Sequence, residues 1–505
     1  MRLLFNLTTL FIYRVISYRK VNMYLGIDLG TSSVKVIVTN ECGDILASAS
    51  SPLNVSRPHP LWSEQEPTEW FSATTKAVRE IANIHDLSLV KAIGLSGQMH
   101  GATLLDKKGN CIRPAILWND GRSQSECELL EKEVPNSRQI TGNIMMPGFT
   151  APKVKWVQQN EPKVFAQIDK VLLPKDYLRF CLTGEFGTDM SDAAGTMWLD
   201  VGKREWNQAL LAATGLNISH MPKLYEGNQI TGYLNDNLAL KWGMHNVPVV
   251  AGGGDNAAGA IGAGIIKPGQ SMLSLGTSGV YFAVSDRFTI NPESALHSFC
   301  HALPNTWHTM SVILSAASCL DWVVKLVNYE SVSEMLNDVE SNANPESNLL
   351  FLPYLSGERT PHNDPLACGV FYGLNHNTKR SDMAQAVLQG VGFALADGLD
   401  ALHVTGQQPE EITLIGGGTQ SHYWRQMLCD IFAKPLTLRE GGNVGPALGA
   451  ARLAQLAITE SKTLEEVCPT PRLIETHQPN MIRHHHYSKL REKFTQLYQA
   501  TKHIH

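Results

Sequence analysis

The chain lacks the features that mark several common classes of protein. Its 505 residues include 42 basic and 47 acidic side chains, giving a net charge of −5, and no basic stripe indicates a nucleic-acid partner. The nine cysteines form no C-x-x-C pair and no zinc spacing, so we expect buried, reduced thiols and a cytoplasmic location. The apolar segment 1–18 is interrupted by polar residues and is too short to span a bilayer, so no membrane partner is expected.

Residues 1–22 differ in composition from the rest of the chain. Segment 1–18 contains Arg2 and Arg14 but no acidic residue, and no small-residue cleavage site follows it. Met23 stands directly before the first predicted strand. We interpret 1–22 as an extension outside the fold, with translation starting at Met23, and keep a targeting segment as the alternative. A chain that begins at Met23 is therefore expected to fold and to retain activity.

The remaining sequence predicts an α/β protein with two domains. Apolar residues make up 43% of the chain, which at this length is enough for two substantial cores. A predicted hairpin over 24–38 is followed by an amphipathic helix over 68–84 and a strand over 90–95. The turn signal Lys267-Pro268-Gly269 precedes a second set of strands. We place the boundary there, with domains over 23–267 and 268–505.

The tetrapeptide Leu-Gly-Thr-Ser occurs at 29–32 and again at 275–278, each time at the end of an apolar strand. A glycine-led turn that carries Thr and Ser offers free backbone N–H groups and two hydroxyls, which together form a nest for phosphate oxygens. A single copy is ordinary hairpin chemistry. Two copies, one in each half of the chain, predict a nucleotide whose phosphates are clamped from both sides.

Two aspartates stand beside glycines at the ends of predicted strands. Asp28 precedes the first turn, where a carboxylate can hold a hydrated Mg²⁺ ion. Asp255 follows three glycines and opens a predicted helix, so a simple N-cap is one interpretation. The glycines clear space around its carboxylate, and the helix dipole favours the ionised form. We therefore favour a general base that accepts a proton from a substrate hydroxyl.

A further glycine run, at 416–418, lies between a predicted strand over 412–415 and a predicted helix over 424–432. Three glycines between a strand and a helix let a ligand approach the backbone closely, with the helix N-terminus behind it. The sequence therefore predicts a second ligand-binding element in the C-terminal half.

In order and spacing, these motifs resemble those of the FGGY carbohydrate kinases. The resemblance implies two actin-like, ribonuclease-H-like domains with a cleft between them. Other stretches that match are 57–65, 97–101, 117–122, 148–156, 191–198, 355–361 and 369–374. The likeness runs from Met23 to about Ala457 and is greatest to the members that act on D-xylulose.

The resemblance also implies roles for individual residues. Asp255 matches the catalytic base, and Asp28 belongs to the first phosphate element. The residues implied for sugar binding are Met99 and His100 as the ketose-binding pair, Asn256 beside the base, and Trp118 as a candidate pocket wall. The residues implied for nucleotide binding are Gly30, Thr31, Ser32, Gly276, Thr277, Ser278, Gly416, Gly417, Gly418 and Asn443.

The implied reaction is transfer of the γ-phosphoryl group of ATP, with Mg²⁺, to the 5-hydroxyl of D-xylulose. We expect the domains to close over the sugar and exclude water. A kinase for another ketose or polyol of the same family would share every phosphate element. A nucleotide-switched chaperone or filament ATPase is a second alternative, although no peptide-binding domain follows the core. A non-catalytic sugar sensor is a third, and it would be expected to lack Asp255. A homodimer is left open.

Overall fold

The computed structural model describes residues 22–344, 346–441 and 445–504, so Asn443 and residues 1–21 lie outside the described residues. Two seven-stranded sheets form the frame. In spatial order the first contains Ile230–Tyr233, Pro248–Val250, Val90–Gly97, Met23–Leu29, Ser33–Thr39 and Ile45–Pro52, with Gly253–Gly254 beside the end of Val90–Gly97. The second contains His297–Cys300, Trp307–Ile313, Gly279–Ser285, Ser271–Leu275, Ile412–Ile415, Leu436–Arg439 and Leu473–His477.

The second sheet repeats the topology of the first. In each sheet a run of antiparallel strands leads to a central strand, two parallel neighbours follow, and an antiparallel strand closes the edge. Met23–Leu29 corresponds to Ser271–Leu275, and Ser33–Thr39 corresponds to Gly279–Ser285. The two Leu-Gly-Thr-Ser turns therefore occupy equivalent positions in the two halves. The predicted two-domain, actin-like α/β fold is confirmed.

Local sequence explains these elements. Met23–Leu29 is apolar on both faces and almost entirely buried, as expected of a central strand covered on both sides. The helix Pro67–Ala82 begins with Pro at its first turn and buries Trp70, Ala77 and Ile81 at helical spacing. That apolar stripe packs on Ser33–Thr39 and Ile45–Pro52, two neighbouring strands at one edge of the first sheet.

The helices in the described part of the chain are Pro67–Ala82, Gln124–Glu133, Ser137–Thr141, Thr150–Asn160, Pro162–Phe165, Pro174–Thr183, Met190–Ala194, Gln208–Ala213, Asp236–Trp242, Asp255–Gly262, Ser318–Leu326, Val332–Asn342, Arg380–His403, His422–Phe432, Gly445–Ile458, Leu464–Val467 and Met481–Thr501. Two-stranded sheets pair Glu64–Gln65 with Ala115–Ile116, Thr103–Leu105 with Lys170–Leu172, Gly187–Asp189 with Lys223–Tyr225, Leu199–Asp200 with Glu205–Trp206, and Leu350–Leu352 with Val370–Tyr372. The section over 147–199 is mainly helical and contributes only short strands.

The helix Gly445–Ile458 comes from the C-terminal half of the chain but packs on the first sheet. Glycines permit this contact. A Cβ atom on Gly94 would lie 1.8 Å from the carbonyl oxygen of Ala450, and one on Gly26 would lie 2.0 Å from that of Ala447. The two halves of the chain are therefore in direct backbone contact at this junction, which includes the strand that carries Asp28.

The expectation that all the cysteines are buried is wrong for four of them. Cys42 and Cys368 are exposed, because both lie in irregular segments between strands, and Cys111 and Cys181 are half-buried. All nine thiols are free. Within the described residues, no helix is both long and apolar enough to cross a membrane.

Candidate active site

An inner cavity of about 350 Å³ lies between the two sheets. All five residues predicted for catalysis and sugar binding line it, namely Met99, His100, Trp118, Asp255 and Asn256. The second half of the chain contributes Ser278, His297, Phe299 and Arg359 to the opposite wall, among others. The fold thus gathers the predicted sugar-binding residues around the predicted base.

A larger outer cavity of about 770 Å³ adjoins the second sheet and is of a size that suits a nucleotide. Its lining includes Gly276 and Thr277 of the second turn and Gly417 and Gly418 of the glycine run. The next residue, Ser278, lines the inner cavity instead. The turn 276–278 therefore has one side in each cavity.

Asp255 is the first residue of the helix Asp255–Gly262, and Gly254 occupies the N-cap position without a side-chain bond. The simple N-cap interpretation is therefore wrong. The Asp255 carboxylate instead accepts the backbone N–H and the side-chain amide of Asn256, at 2.7 and 2.9 Å. Burial raises its pKa to about 6, although these two hydrogen bonds act in the opposite direction.

The glycines before Asp255 have separate steric roles. Gly252 has a φ of +78°, and a Cβ atom there would lie 1.9 Å from the carbonyl oxygen of Leu95. A Cβ atom on Gly254 would come within 2.9 Å of the Met99 sulfur. Side chains at these positions would push the loop away from the strand and narrow the inner cavity.

Asp28 lies at the end of the central strand of the first sheet. Its Oδ1 is buried and has no hydrogen-bond partner among the described residues. Burial, and next the negative charge of Asp255, raises the pKa of Asp28 to about 7. A buried carboxylate oxygen without a partner, close to a second carboxylate, fits a divalent cation such as Mg²⁺.

The hydrogen bonds of His100 define its tautomer. Its Nδ1 lies 2.8 Å from the carbonyl oxygen of Gly195, so Nδ1 carries the proton and Nε2 is left as an acceptor. Burial, and then the nearby charge of Lys153, lowers the pKa of His100 to about 3, so the ring is neutral. The ring packs edge-on against Phe149 at 4.8 Å between centroids. Its backbone is held at a φ of +68°, and its carbonyl oxygen accepts Thr150 Oγ1 and Lys153 Nζ.

The first turn is placed differently from the second. Gly30, Thr31 and Ser32 line neither cavity. Trp118 Nε1 donates to Thr31 Oγ1 at 2.9 Å, so the first turn reaches the inner cavity only through this tryptophan. Gly416 also lines neither cavity; its φ is +94°, and it lies beside Leu275 at the base of the second turn.

Sequence reasoning missed a buried polar chain behind the Asp255 loop. Ser191 Oγ accepts the backbone N–H of Gly254 at 3.0 Å and donates to Asp189. Asp189 in turn lies 2.8 Å from Lys175 Nζ, and all three side chains are buried. In the sequence, the stretch 191–198 has meaning only through its resemblance to the family. The one local signal was the Asp-x-Ser pair, in which Asp189 caps the helix Met190–Ala194.

Sequence reasoning also missed the wall opposite His100. His297 and Arg359 line the inner cavity, although they lie far from Asp255 along the chain. The motif 355–361 matches the family in sequence, but the match implies no role for its residues. By contrast, Trp198 is a core residue whose Nε1 donates to Thr214 Oγ1, so it forms no part of the cavity wall.

Comparisons with known proteins agree with this geometry. The model of the FGGY family of carbohydrate kinases matches residues 23–262 for its N-terminal domain and 271–458 for its C-terminal domain. The chain is 59% identical to a xylulose kinase of Escherichia coli over 94% of this chain and 99% of that protein. It is 56% identical to a xylulose kinase of Klebsiella pneumoniae over 95% of this chain and 99% of that protein. A crystal structure described as a "xyloylose kinase" from Brucella ovis superposes with a TM-score of 0.92 at 47% identity, covering 96% of this chain and all of that one.

Proposed function

Because the chain belongs to the FGGY family of carbohydrate kinases, we propose that it transfers the γ-phosphoryl group of ATP to the 5-hydroxyl of D-xylulose. The products are D-xylulose 5-phosphate and ADP. The observation that carries this proposal is the turn 276–278, which has Gly276 and Thr277 in the outer cavity and Ser278 in the inner cavity with Asp255. A nucleotide in the outer cavity can therefore present its terminal phosphate to a sugar in the inner one.

Asp255 is the general base in this proposal. Its carboxylate takes the proton of the 5-hydroxyl while the sugar oxygen bonds to the γ-phosphorus and the bond to the bridging oxygen of ADP breaks. A pKa of about 6 leaves the group mostly ionised at neutral pH and makes it more basic than an ordinary aspartate. The hydrogen bonds from Asn256 fix one carboxylate oxygen.

The sugar is held by groups with defined polarity. The unprotonated Nε2 of His100 can only accept a hydrogen bond, so it pairs with a sugar hydroxyl. Met99 and Trp118 supply apolar wall beside it. A site built from such groups discriminates by leaving its polar atoms unpaired when the wrong sugar binds.

The phosphates lie, in this proposal, against the backbone of Gly276, Thr277, Gly417 and Gly418. Mg²⁺ would be held near Asp28 and would neutralise charge on the phosphate oxygens. Because 30–32 line neither cavity, their contact with the phosphates requires the domain closure that the sequence predicts.

An ADP-release assay across a panel of acceptors tests the function. We expect the highest kcat/KM with D-xylulose, against D-ribulose, D-gluconate, glycerol and a reaction without sugar, and phosphorus NMR should place the product phosphate on C5. A higher kcat/KM with another sugar would reassign the substrate. Rapid ADP release without sugar would instead support a nucleotide-switched ATPase, and sugar binding without ADP release would support a sensor.

Compartment and assembly belong to the same proposal. Nine free thiols suit a reducing cytoplasm, where exposed Cys42 and Cys368 stay reduced. The homodimer left open by the sequence remains a prediction, and analytical ultracentrifugation of the purified chain tests it.

A further inference from the structure

Arg359 is a cavity residue to which the motifs and the proposed mechanism assign no role. Its side chain lines the inner cavity together with Asp255 and His100, although it belongs to the second half of the chain. The guanidinium is in contact with His297 Nε2, at 3.4 Å from Nη1. A planar group with five N–H donors therefore faces a cavity built to hold a polyhydroxylated ligand.

The backbone around Arg359 is firmly held. Thr360 exchanges hydrogen bonds with Val312 through its backbone N–H and its Oγ1, and Thr360 Oγ1 also donates to the carbonyl oxygen of Ala295. Glu358 Oε1 accepts the backbone N–H groups of Leu314 and Arg359 at 3.0 and 2.7 Å. The second sheet thus fixes the position from which the guanidinium reaches the cavity.

Other arginines with buried or half-buried side chains are paired within the protein. Arg122, Arg179, Arg204 and Arg491 each form a salt bridge with a carboxylate, and Arg452 donates to the carbonyl oxygens of Ile261 and Gly262. Within the described residues no carboxylate forms one with Arg359. The carboxyl group of Glu358 acts on Arg359 electrostatically, but burial raises the pKa of Glu358 to about 8, so this group is mostly protonated at neutral pH. Arg359 is half-buried, so its guanidinium keeps donors open to a ligand in the cavity.

Ring contacts and strand pairing indicate the part of the cavity to which each group belongs. Arg359 Nη1 contacts His297 Nε2, and the rings of His297 and His100 both pack edge-on against Phe149. Asp255 instead follows Gly253, and Gly253 and Asp28 pair with the same residue of the first sheet, Ser96, from its two sides. Arg359, His297 and His100 therefore cluster around Phe149, and Asp255 lies toward Asp28.

Resting on the proposed function, we propose that Arg359 binds the end of the sugar remote from the transferred phosphoryl group and donates hydrogen bonds to the carbonyl oxygen at C2. The chemistry of the two ends is complementary. A ketone oxygen only accepts hydrogen bonds, and a guanidinium only donates them, whereas His100 Nε2 only accepts and so pairs with a hydroxyl. Arg359 then makes the second half of the chain part of the sugar site and selects for a ketose.

The test separates the two ends of the substrate. Glycerol reproduces C3–C5 of D-xylulose and lacks the carbonyl end. In Arg359→Gln we expect KM for D-xylulose to rise about tenfold to a hundredfold, as for the loss of hydrogen bonds from a charged donor. Three quantities should stay within about twofold of the parent, a change that corresponds to less than about 0.5 kcal/mol. They are KM for ATP, kcat/KM for glycerol and the rate of ATP hydrolysis without sugar.

Two further variants control the experiment. Arg359→Lys keeps the charge but not the planar fork, so its KM for D-xylulose should fall between those of the parent and Arg359→Gln. Arg287→Gln removes an exposed arginine of the same domain and should change nothing. Thermal unfolding of each variant checks that it is folded. If Arg359→Gln is unstable, KM for D-xylulose is compared between Arg359→Lys and the parent instead.

An unchanged KM for D-xylulose in Arg359→Gln would overturn the inference. Equal losses with D-xylulose, glycerol and water would also overturn it, because they would place Arg359 at the phosphoryl group. Failure of the proposed function is a separate result, since it appears in the parental protein as a preference for another acceptor before any variant is made. The Arg359 comparison is then repeated with that acceptor.

Discussion

The carbonyl oxygen of Ala258 lies 1.8 Å from the position that a Cβ atom on Gly449 would occupy. Two helices meet there backbone to backbone, one of them opening with Asp255 and the other coming from the C-terminal half of the chain. The absence of a side chain at Gly449 thus determines how closely the second half approaches the helix that carries the proposed base.

Gly449→Ala should therefore separate these helices. The added methyl group meets backbone that cannot rotate away, so we expect the free energy of unfolding to fall by about 1–3 kcal/mol or more and turnover to fall with it. Gly259→Ala is the matched control on the facing helix, because its nearest neighbour would be Pro446 Cγ at 3.9 Å. That variant should be as stable as the parent or more stable by up to about 1 kcal/mol. Equal denaturation midpoints for the two variants would contradict the packing argument.

Ser191→Ala tests the polar chain behind the Asp255 loop. Removing Oγ leaves the buried N–H of Gly254 without its acceptor, at a cost of about 1–3 kcal/mol that loosens the neighbouring base. We expect kcat to fall about tenfold while KM for ATP is unchanged. Ser137→Ala is the control, because Ser137 is equally buried but its hydroxyl has no hydrogen-bond partner among the described residues. A parental kcat in Ser191→Ala would show that the Asp255 loop keeps its position without the hydrogen bond from Gly254 to Ser191.

Sequence and structure agree where the signal is local. The apolar strands, the paired turns and the glycines around Asp255 are all visible within short windows, and the sheets follow from them. Ser191, His297 and Arg359 could not be found in this way, because only the fold brings Ser191 behind the Asp255 loop and places His297 and Arg359 in the wall of the same cavity. The two turns are equivalent in the sheets but differ at the cavities, since 276–278 borders both cavities whereas Thr31 contacts Trp118 in the wall of the inner one. That difference depends on how the two halves pack together, which no short window of sequence shows.

His100 should control sugar binding rather than phosphate chemistry. We expect His100→Ala to raise KM for D-xylulose about tenfold and to relax selectivity, with nucleotide binding intact. Alanine also loses stability at a φ of +68°, so His100→Asn is the better-matched variant, because Asn tolerates the left-handed region. If both variants keep the parental KM for the sugar, His100 is not in the site.

The pH dependence of the rate should report Asp255. With saturating Mg²⁺, which keeps Asp28 ionised, kcat should fall about tenfold per pH unit below pH 6, as the base becomes protonated. Protonation of Asp255 does not itself destabilise the fold. Its folded-state pKa is raised, so this group favours the folded state at low pH, and that contribution is lost as the pH rises from the ordinary aspartate pKa to about 6. A flat profile between pH 5 and 7, with melting temperature also constant, would argue against this assignment.

Asp255→Asn tests the proposed base directly, because it keeps the shape and one oxygen for the Asn256 bonds but removes the charge and the basicity. Turnover should fall on the order of a hundredfold or more. D-xylulose and ATP should still bind, since His100 and the turn 276–278 are untouched, and the acidic limb of the pH profile should disappear from the residual rate. Calorimetric binding and phosphorylation rate are measured on the same purified variant. Turnover near the parental rate would leave the reaction without its general base and remove Asp255 from the mechanism.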